Sequence, residues 1–142
     1  MKVIRYLIML LAMAGVVVSV LALRVHYSND TQACDINEKW DCGVVNHSPF
    51  AEIEHVPVAA IGILGYLALA GLALARQRFL VMLAAMLGLG FALCLSFIEA
   101  FALGAWCIYC VISQTVIALI TLLAVGWFTE EYLTLKRAVK RA

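Results

Sequence analysis

Four apolar runs, 3–23, 56–75, 80–101 and 106–128, dominate the 142-residue sequence, and each is close to the length that carries a helix across a bilayer. Lipid offers no partner to a backbone N–H or C=O, so runs of this kind cross as helices. Hydrophobic residues are 65% of the chain and charged residues 13%, a balance that a water-soluble domain of this size has too little polar surface to carry. The sequence therefore predicts an all-α integral membrane protein, one domain folded as a four-transmembrane-helix bundle. The alternative for the first run is a cleaved signal peptide, given Lys2 and Arg5 at its start. Its length and the poor cleavage site at Leu21-Ala22-Leu23-Arg24 favour an uncleaved span.

The net charge of +1 says nothing about partners, but its distribution orients the chain. With four spans and a cytoplasmic N-terminus, Lys2, Arg5, Arg76, Arg78, Lys136, Arg137, Lys140 and Arg141 fall inside, and only Arg24 and Lys39 fall outside. That is the pattern of the positive-inside rule. Asp30, Asp35, Glu38, Asp41, Glu52 and Glu54 then share one outer loop, 24–55. Both termini and the tail 129–142 are expected in the cytoplasm, in a multi-pass protein of the cytoplasmic (inner) membrane. Lipid is an expected partner and nucleic acid is not.

The outer loop is the one long polar segment, and a loop of that length is usually functional or disordered. Its end, Ser48-Pro49-Phe50-Ala51-Glu52-Ile53-Glu54-His55, has a capping residue and a proline suited to a first turn, so it reads as a short interfacial helix. Arg76-Gln77-Arg78 and the stretch 102–105, with Gly104, are short turns that force neighbouring helices antiparallel. In the third span Ala84, Gly88, Ala92, Ser96 and Ala100 recur every fourth residue, a small-residue ridge that reads as packing.

The five cysteines separate by depth. Cys34 and Cys42 lie in the outer loop, Cys107 and Cys110 open the fourth span, and Cys94 sits mid-helix, where it reads as core filling. Four thiols thus meet at the oxidising membrane face. Cys107 and Cys110, at i and i+3, share a helix face in its first turns, where free N–H groups and the macrodipole favour a thiolate. Thiol–disulfide exchange needs that thiolate. A structural disulfide or half of a zinc site are the alternatives; zinc is disfavoured because the Cys34 to Cys42 spacing lacks the usual knuckle, and no metal is expected. The loop pair is either a static staple or a labile disulfide, and a second dithiol at the same depth favours a relay. Glu99, costly near the end of a span, is expected to face inward near the site, the alternative being outer water. His26, His47 and His55 are assigned no role.

The order Cys34, Cys42, then Ser48 within Asn46-His47-Ser48-Pro49-Phe50, then Val56-Pro57 running through Gly62 and Gly65, then Trp106-Cys107-Ile108-Tyr109-Cys110 resembles the vitamin K epoxide reductase family in its short bacterial form. The resemblance covers nearly the whole chain. It implies a four-helix bundle holding a quinone near the membrane surface, with the loop between helices 1 and 2 capping the site. It also implies that Cys34 meets a reduced thioredoxin-like partner, that Cys42 exchanges with Cys107, and that Cys110 delivers electrons to the quinone. Ser48 matches the family's loop serine or threonine, to which a role in arranging the active site is attributed. Many bacterial relatives carry a fused thioredoxin-like domain and this sequence ends at Ala142 without one, so the expected partner is a separate, DsbA-type protein. Gln114 stands where vertebrate members have a tyrosine, four positions after the last active-site cysteine. Quinone contact there would run through the amide, and the expectation is reduction of ubiquinone, menaquinone or a vitamin K-type quinone, not of the epoxide.

The reading is therefore a quinone-linked thiol–disulfide oxidoreductase, with Cys107, Cys110, Cys34 and Cys42 catalytic and Ser48, Gln114 and Glu99 supporting. Its rivals are an epoxide reductase, an outward reductant conduit and a non-catalytic scaffold. A conduit needs thiols at both faces, and the sequence places none near the inner one. The disulfide-bond oxidase DsbB is close in function but carries its loop and CxxC elements in a different order.

Overall fold

A computed structural model describes residues 2–28, 34 and 36–141. Asp30, Asp35 and Ala142, assigned above to the outer loop and the tail, lie outside the described residues. The chain forms α1 (Lys2–Tyr27), a short α2 (Cys42–Asn46), a 3-10 turn (Pro49–Ala51), a hairpin of β1 (Glu52–Ile53) and β2 (Val56–Pro57), then α3 (Val58–Leu74), α4 (Arg78–Ile98) and α5 (Ile108–Arg141). A π-helical turn, Glu99–Leu103, continues α4.

The long helices form a ring: α1 packs on α3 and α5, and α4 packs on α5 and α3. Each buries only a stripe. In α1 that stripe is Ile8, Ala12, Gly15, Ser19, Ala22 and Val25, the three-and-four spacing of one helix face. Leu7, Leu10, Met13 and Val17 on the same helix stay exposed, as do Leu64, Leu87, Phe97 and Leu122 on the others. Apolar exposure on that scale belongs in lipid.

Among the described residues three helices are long and apolar enough to cross a membrane: α1, α4 with its π turn (Arg78–Leu103), and α5. The second apolar run is shorter as a helix than its sequence length suggests. Val56 and Pro57 are taken up in β2, leaving α3 with 17 residues, or about 26 Å of rise against the roughly 30 Å of a hydrocarbon core.

Several other boundaries move. α1 continues to Tyr27, four residues past the apolar run, and α5 stays helical to Arg141 through the expected tail. The interfacial helix expected over 48–55 is instead one 3-10 turn and the β1–β2 hairpin. Glu54 and His55 both take positive φ, 49° and 69°, which a helix excludes and a tight turn uses. The alternation Glu52-Ile53-Glu54 follows the period of a strand. Cys94 is exposed on the outer surface of α4, not core filling. In a ring of helices the interior takes only the face that carries Ala92 and Ser96.

Small and polar residues set the helix contacts, as expected where lipid provides no hydrophobic drive between helices. A Cβ on Gly15 would lie 2.5 Å from the Tyr66 ring, so only glycine lets that ring cross against α1. Tyr66 then donates to the Ser113 carbonyl at 2.8 Å, tying α3 to α5. Thr121 donates to the Ala85 carbonyl at 3.2 Å, tying α5 to α4. The main core, with Ile8, Tyr66, Val81, Ile120 and Trp127, fills the half of the ring remote from the loop. A second cluster, Val25, Cys34, Cys42, Val45, Ala105 and Cys107, forms at the loop end.

Candidate active site

Backbone hydrogen bonds bring the cysteines together. Asn37 caps a tight turn by accepting from the N–H groups of Lys39 and Trp40 at 3.0 and 3.2 Å. Trp106 N–H donates to the Lys39 carbonyl at 2.7 Å, and Asp41 N–H donates to the Trp106 carbonyl at 3.1 Å. These two bonds stitch the loop to the segment ahead of α5, one residue before Cys42 on one side and one before Cys107 on the other. Asp41 also caps α2, accepting the Val44 N–H at 2.9 Å, which holds Cys42 in the first turn of that helix.

Cys34 and Cys42 form a disulfide, while Cys107 and Cys110 are free thiols. The Cys107 Sγ lies 3.1 Å from the Cys42 Sγ. The ligand atoms of Cys34, Cys42 and Cys107 all fall within 4.8 Å of one another. Two of those sulfurs are bonded to each other, so the trio offers one free thiolate, well short of a zinc set. Cys107 stands immediately before α5, where its carbonyl accepts the Val111 N–H at 3.1 Å, and Cys110 is the third residue of the helix. Both sulfurs therefore belong to the helix N-terminus, whose positive end favours an anion.

Glu99 is 3% exposed and accepts the Cys107 N–H at 3.2 Å. It can do so because the π turn and the left-handed Gly104 (φ 64°) swing the end of α4 across the start of α5. Asn46 is the polar residue nearest the free thiol that the sequence reading did not single out. Its Nδ2 donates to the Cys42 carbonyl at 2.9 Å and to the Cys107 Sγ at 3.5 Å. The signal was the i, i+4 spacing from Cys42, which puts both on one helix face. His26, for which the sequence suggests no role, donates from Nδ1 to the Asn46 carbonyl at 2.6 Å and pairs through Nε2 with Glu52 at 3.0 Å. The extra turn of α1 carries it there.

Beneath the cysteines lies a cavity of about 420 Å³ enclosed by α1, α3, α4, α5 and the loop. Most of its wall is aliphatic. Its polar lining includes Cys110, Glu99, Ser48, Tyr66, Ser113 and His26. Cys107 is not on the wall: its sulfur contacts the disulfide, while Cys110 lines the cavity. Ala84, Gly88, Ala92 and Ser96 line the cavity too. The ridge read as packing is thus also a wall, and its small side chains leave the space open. Ser48 lines the cavity while donating to the Val45 carbonyl at 2.8 Å, leaving its oxygen as an acceptor. Gln114 stands one step back, bonded to the Ser96 hydroxyl and absent from the lining.

The sequence model of one family, the vitamin K epoxide reductase family, matches residues 6–138. The chain belongs to the vitamin K epoxide reductase family. No curated protein matches the chain. The match takes in both cysteine pairs and every helix that walls the cavity. It makes this vitamin K epoxide reductase family member a membrane oxidoreductase of a group generally associated with quinones. The cavity suits such a ring: its volume lies within the usual range for small-molecule sites, and its wall is apolar with a few polar groups beside one thiol.

Proposed function

We propose that this protein oxidises a separate thioredoxin-like, DsbA-type protein outside the cytoplasmic membrane and passes the electrons to a quinone, sustaining disulfide formation. The observation that carries this is the placement of Cys107, 3.1 Å from the sulfur of Cys42, with Cys110 on the cavity wall. In this reading four spans cross the membrane, both termini are cytoplasmic, and the loop closes the site at the outer face. The basic residues at the opposite end support that orientation.

A partner thiolate attacks Cys34 Sγ, the Cys34–Cys42 bond breaks, and Cys42 leaves as a thiolate. The partner's second thiol closes the partner's own disulfide and leaves both loop cysteines reduced. Cys34 is itself buried, so the partner reaches it only as the loop gives way. Cys42 then attacks Cys107 in a Cys107–Cys110 disulfide and releases Cys110. Attack by Cys34 on Cys42 restores the loop disulfide and leaves two inner thiols, the pairing described above. Asn46 supports the Cys107 thiolate during these exchanges, and Glu99 holds the Cys107 backbone.

A bound quinone would supply the two-electron, two-proton acceptor that re-forming the Cys107–Cys110 disulfide requires. Cys110, Ser113, Tyr66 and Ser48 are the residues that would hold its ring, and Gln114 would act only through Ser96. The aliphatic wall keeps water from Cys110.

The test is purified protein in lipid with a reduced thioredoxin-like donor and, separately, ubiquinone, menaquinone or vitamin K epoxide. Quinone reduction matched one-to-one by partner disulfide is expected, with the epoxide left intact. No reduction of either quinone, or reduction of the epoxide alone, would overturn the reading.

A further inference from the structure

A second cavity, of about 200 Å³, lies at the end of the ring remote from the cysteines. It is lined by Lys2 and Arg5 of α1, Arg76 of the α3–α4 turn, Arg78 of α4 and Trp127 of α5. Each of these side chains carries hydrogen-bond donors and no acceptor. Glu131 pairs with Arg78 at 2.9 Å. Among the described residues, Lys2, Arg5 and Arg76 have no carboxylate within ion-pair distance.

Three further features set the cavity apart from a scatter of topogenic charge. Trp127 is 2% exposed, and its indole N–H finds no acceptor among the described residues; the Nε–H of Arg5 is likewise buried without one. The Arg78 guanidinium lies over the Trp127 ring, 5.3 Å from its centroid, and fixes that corner. Arg76 adopts φ 60° just after the end of α3, where helices ordinarily place glycine. A β-carbon is strained in that conformation, so the chain carries a charged side chain where the backbone favours glycine.

We propose that this cavity binds the phosphate of an anionic phospholipid headgroup. A phosphodiester is all acceptor and carries one negative charge, the complement of a site that is all donor and cationic. Guanidinium forks match phosphate oxygens in geometry. The site sits at the starts of α1 and α4 and beside Trp127, where the apolar run 106–128 of α5 gives out, which is where a headgroup belongs if these helices span a bilayer. The proposal rests on the chain spanning a membrane and is independent of its redox chemistry.

The full-length protein, purified in mild detergent, is examined by native mass spectrometry and thermal melting with phosphatidylglycerol, with phosphatidylcholine of the same acyl chains, and with inorganic phosphate. Phosphatidylglycerol should be retained over phosphatidylcholine and raise the melting temperature, and inorganic phosphate should do neither. Arg5→Gln and Arg76→Gln should each weaken retention about fivefold, the effect of one cation near a lipid surface. Arg76→Gly should melt at least as high as the unmodified protein in phosphatidylcholine, because glycine accepts the positive φ, yet show a smaller shift with phosphatidylglycerol and the same roughly fivefold weaker retention as Arg76→Gln. Lys136→Gln with Lys140→Gln, on exposed α5 outside the cavity, should leave retention unchanged. Equal retention in all variants, equal loss in the α5 control, or inorganic phosphate matching the lipid would each overturn the assignment.

Discussion

Asn46 and Cys107, 61 residues apart in sequence, are joined by a 3.5 Å contact from the asparagine amide to the cysteine sulfur. The same nitrogen donates to the Cys42 carbonyl at 2.9 Å, so one buried side chain links the Cys107 sulfur to the backbone of Cys42. Hydrogen bonds to a charged partner contribute about 1.5–3 kcal/mol. Asn46→Ala should therefore slow exchange between Cys42 and Cys107 by roughly 10-fold or more. A stopped-flow pH profile of the reverse step, attack of the free Cys107 thiol on the Cys34–Cys42 disulfide, separates positioning from thiolate support: loss of the amide moves the alkaline rise of the rate to higher pH, whereas a purely structural defect lowers the rate at every pH alike.

Of the two inner thiols Cys107 touches the loop disulfide and Cys110 lines the cavity, which separates their roles. Cys110→Ala should cut quinone reduction by at least ~10³-fold, the scale on which a reacting nucleophile is lost, because no Cys107–Cys110 disulfide can form, and Cys107 should stay a thiol open to alkylation however much quinone is added. Cys34→Ala should impair oxidation of the protein partner and leave a small dithiol able to serve. Equal activity of both variants with both donors would sink the relay.

Gly15 and Tyr66 are matched in shape. Gly15→Ala places a methyl 2.5 Å from the ring, and overpacking of this kind costs about 1–3 kcal/mol. Displacing the ring also breaks its 2.8 Å bond to the Ser113 carbonyl on the cavity wall. We expect a lower melting temperature together with a raised KM for quinone. Tyr66→Phe, which removes only the hydroxyl, should cost about 1 kcal/mol and leave the packing intact.

His26 and Glu52 clip the loop to the end of α1. Glu52 is 43% exposed, so the pair itself contributes less than about 1 kcal/mol. The larger effect of His26→Ala should come from the 2.6 Å bond to the Asn46 carbonyl. Reduction of the Cys34–Cys42 disulfide by a small dithiol should accelerate in His26→Ala and much less in Glu52→Gln. Equal acceleration would assign the anchoring to the ion pair.

The bundle was largely legible in the sequence because lipid leaves a chain few choices: apolar length, short turns and a one-sided charge distribution suffice to predict helices and their alternation. The cysteine pairs were legible for a related reason, since position along the chain translates into depth. Where the reading failed, a local signal competed with a nonlocal one. The segment 48–55 carries both a helix start and a period of two, and pairing between Ile53 and Val56 decided for the hairpin. Cys94 was apolar and mid-helix, which says nothing about which face the ring would bury.

Spacing alone thus predicted that two cysteine pairs lie toward one end of the bundle and that Cys107 and Cys110 open a helix. Only the tertiary structure decided that Cys107 turns to Cys42 and Cys110 to the cavity, that Asn46 serves the first, and that Gln114 lies behind Ser96. The reason is physical. Helical spacing fixes which residues share a face, but which neighbour that face meets depends on the Trp106 bonds to the loop, the π turn after α4 and the room left by Gly15. Those contacts join residues far apart in the chain, and no local pattern encodes them.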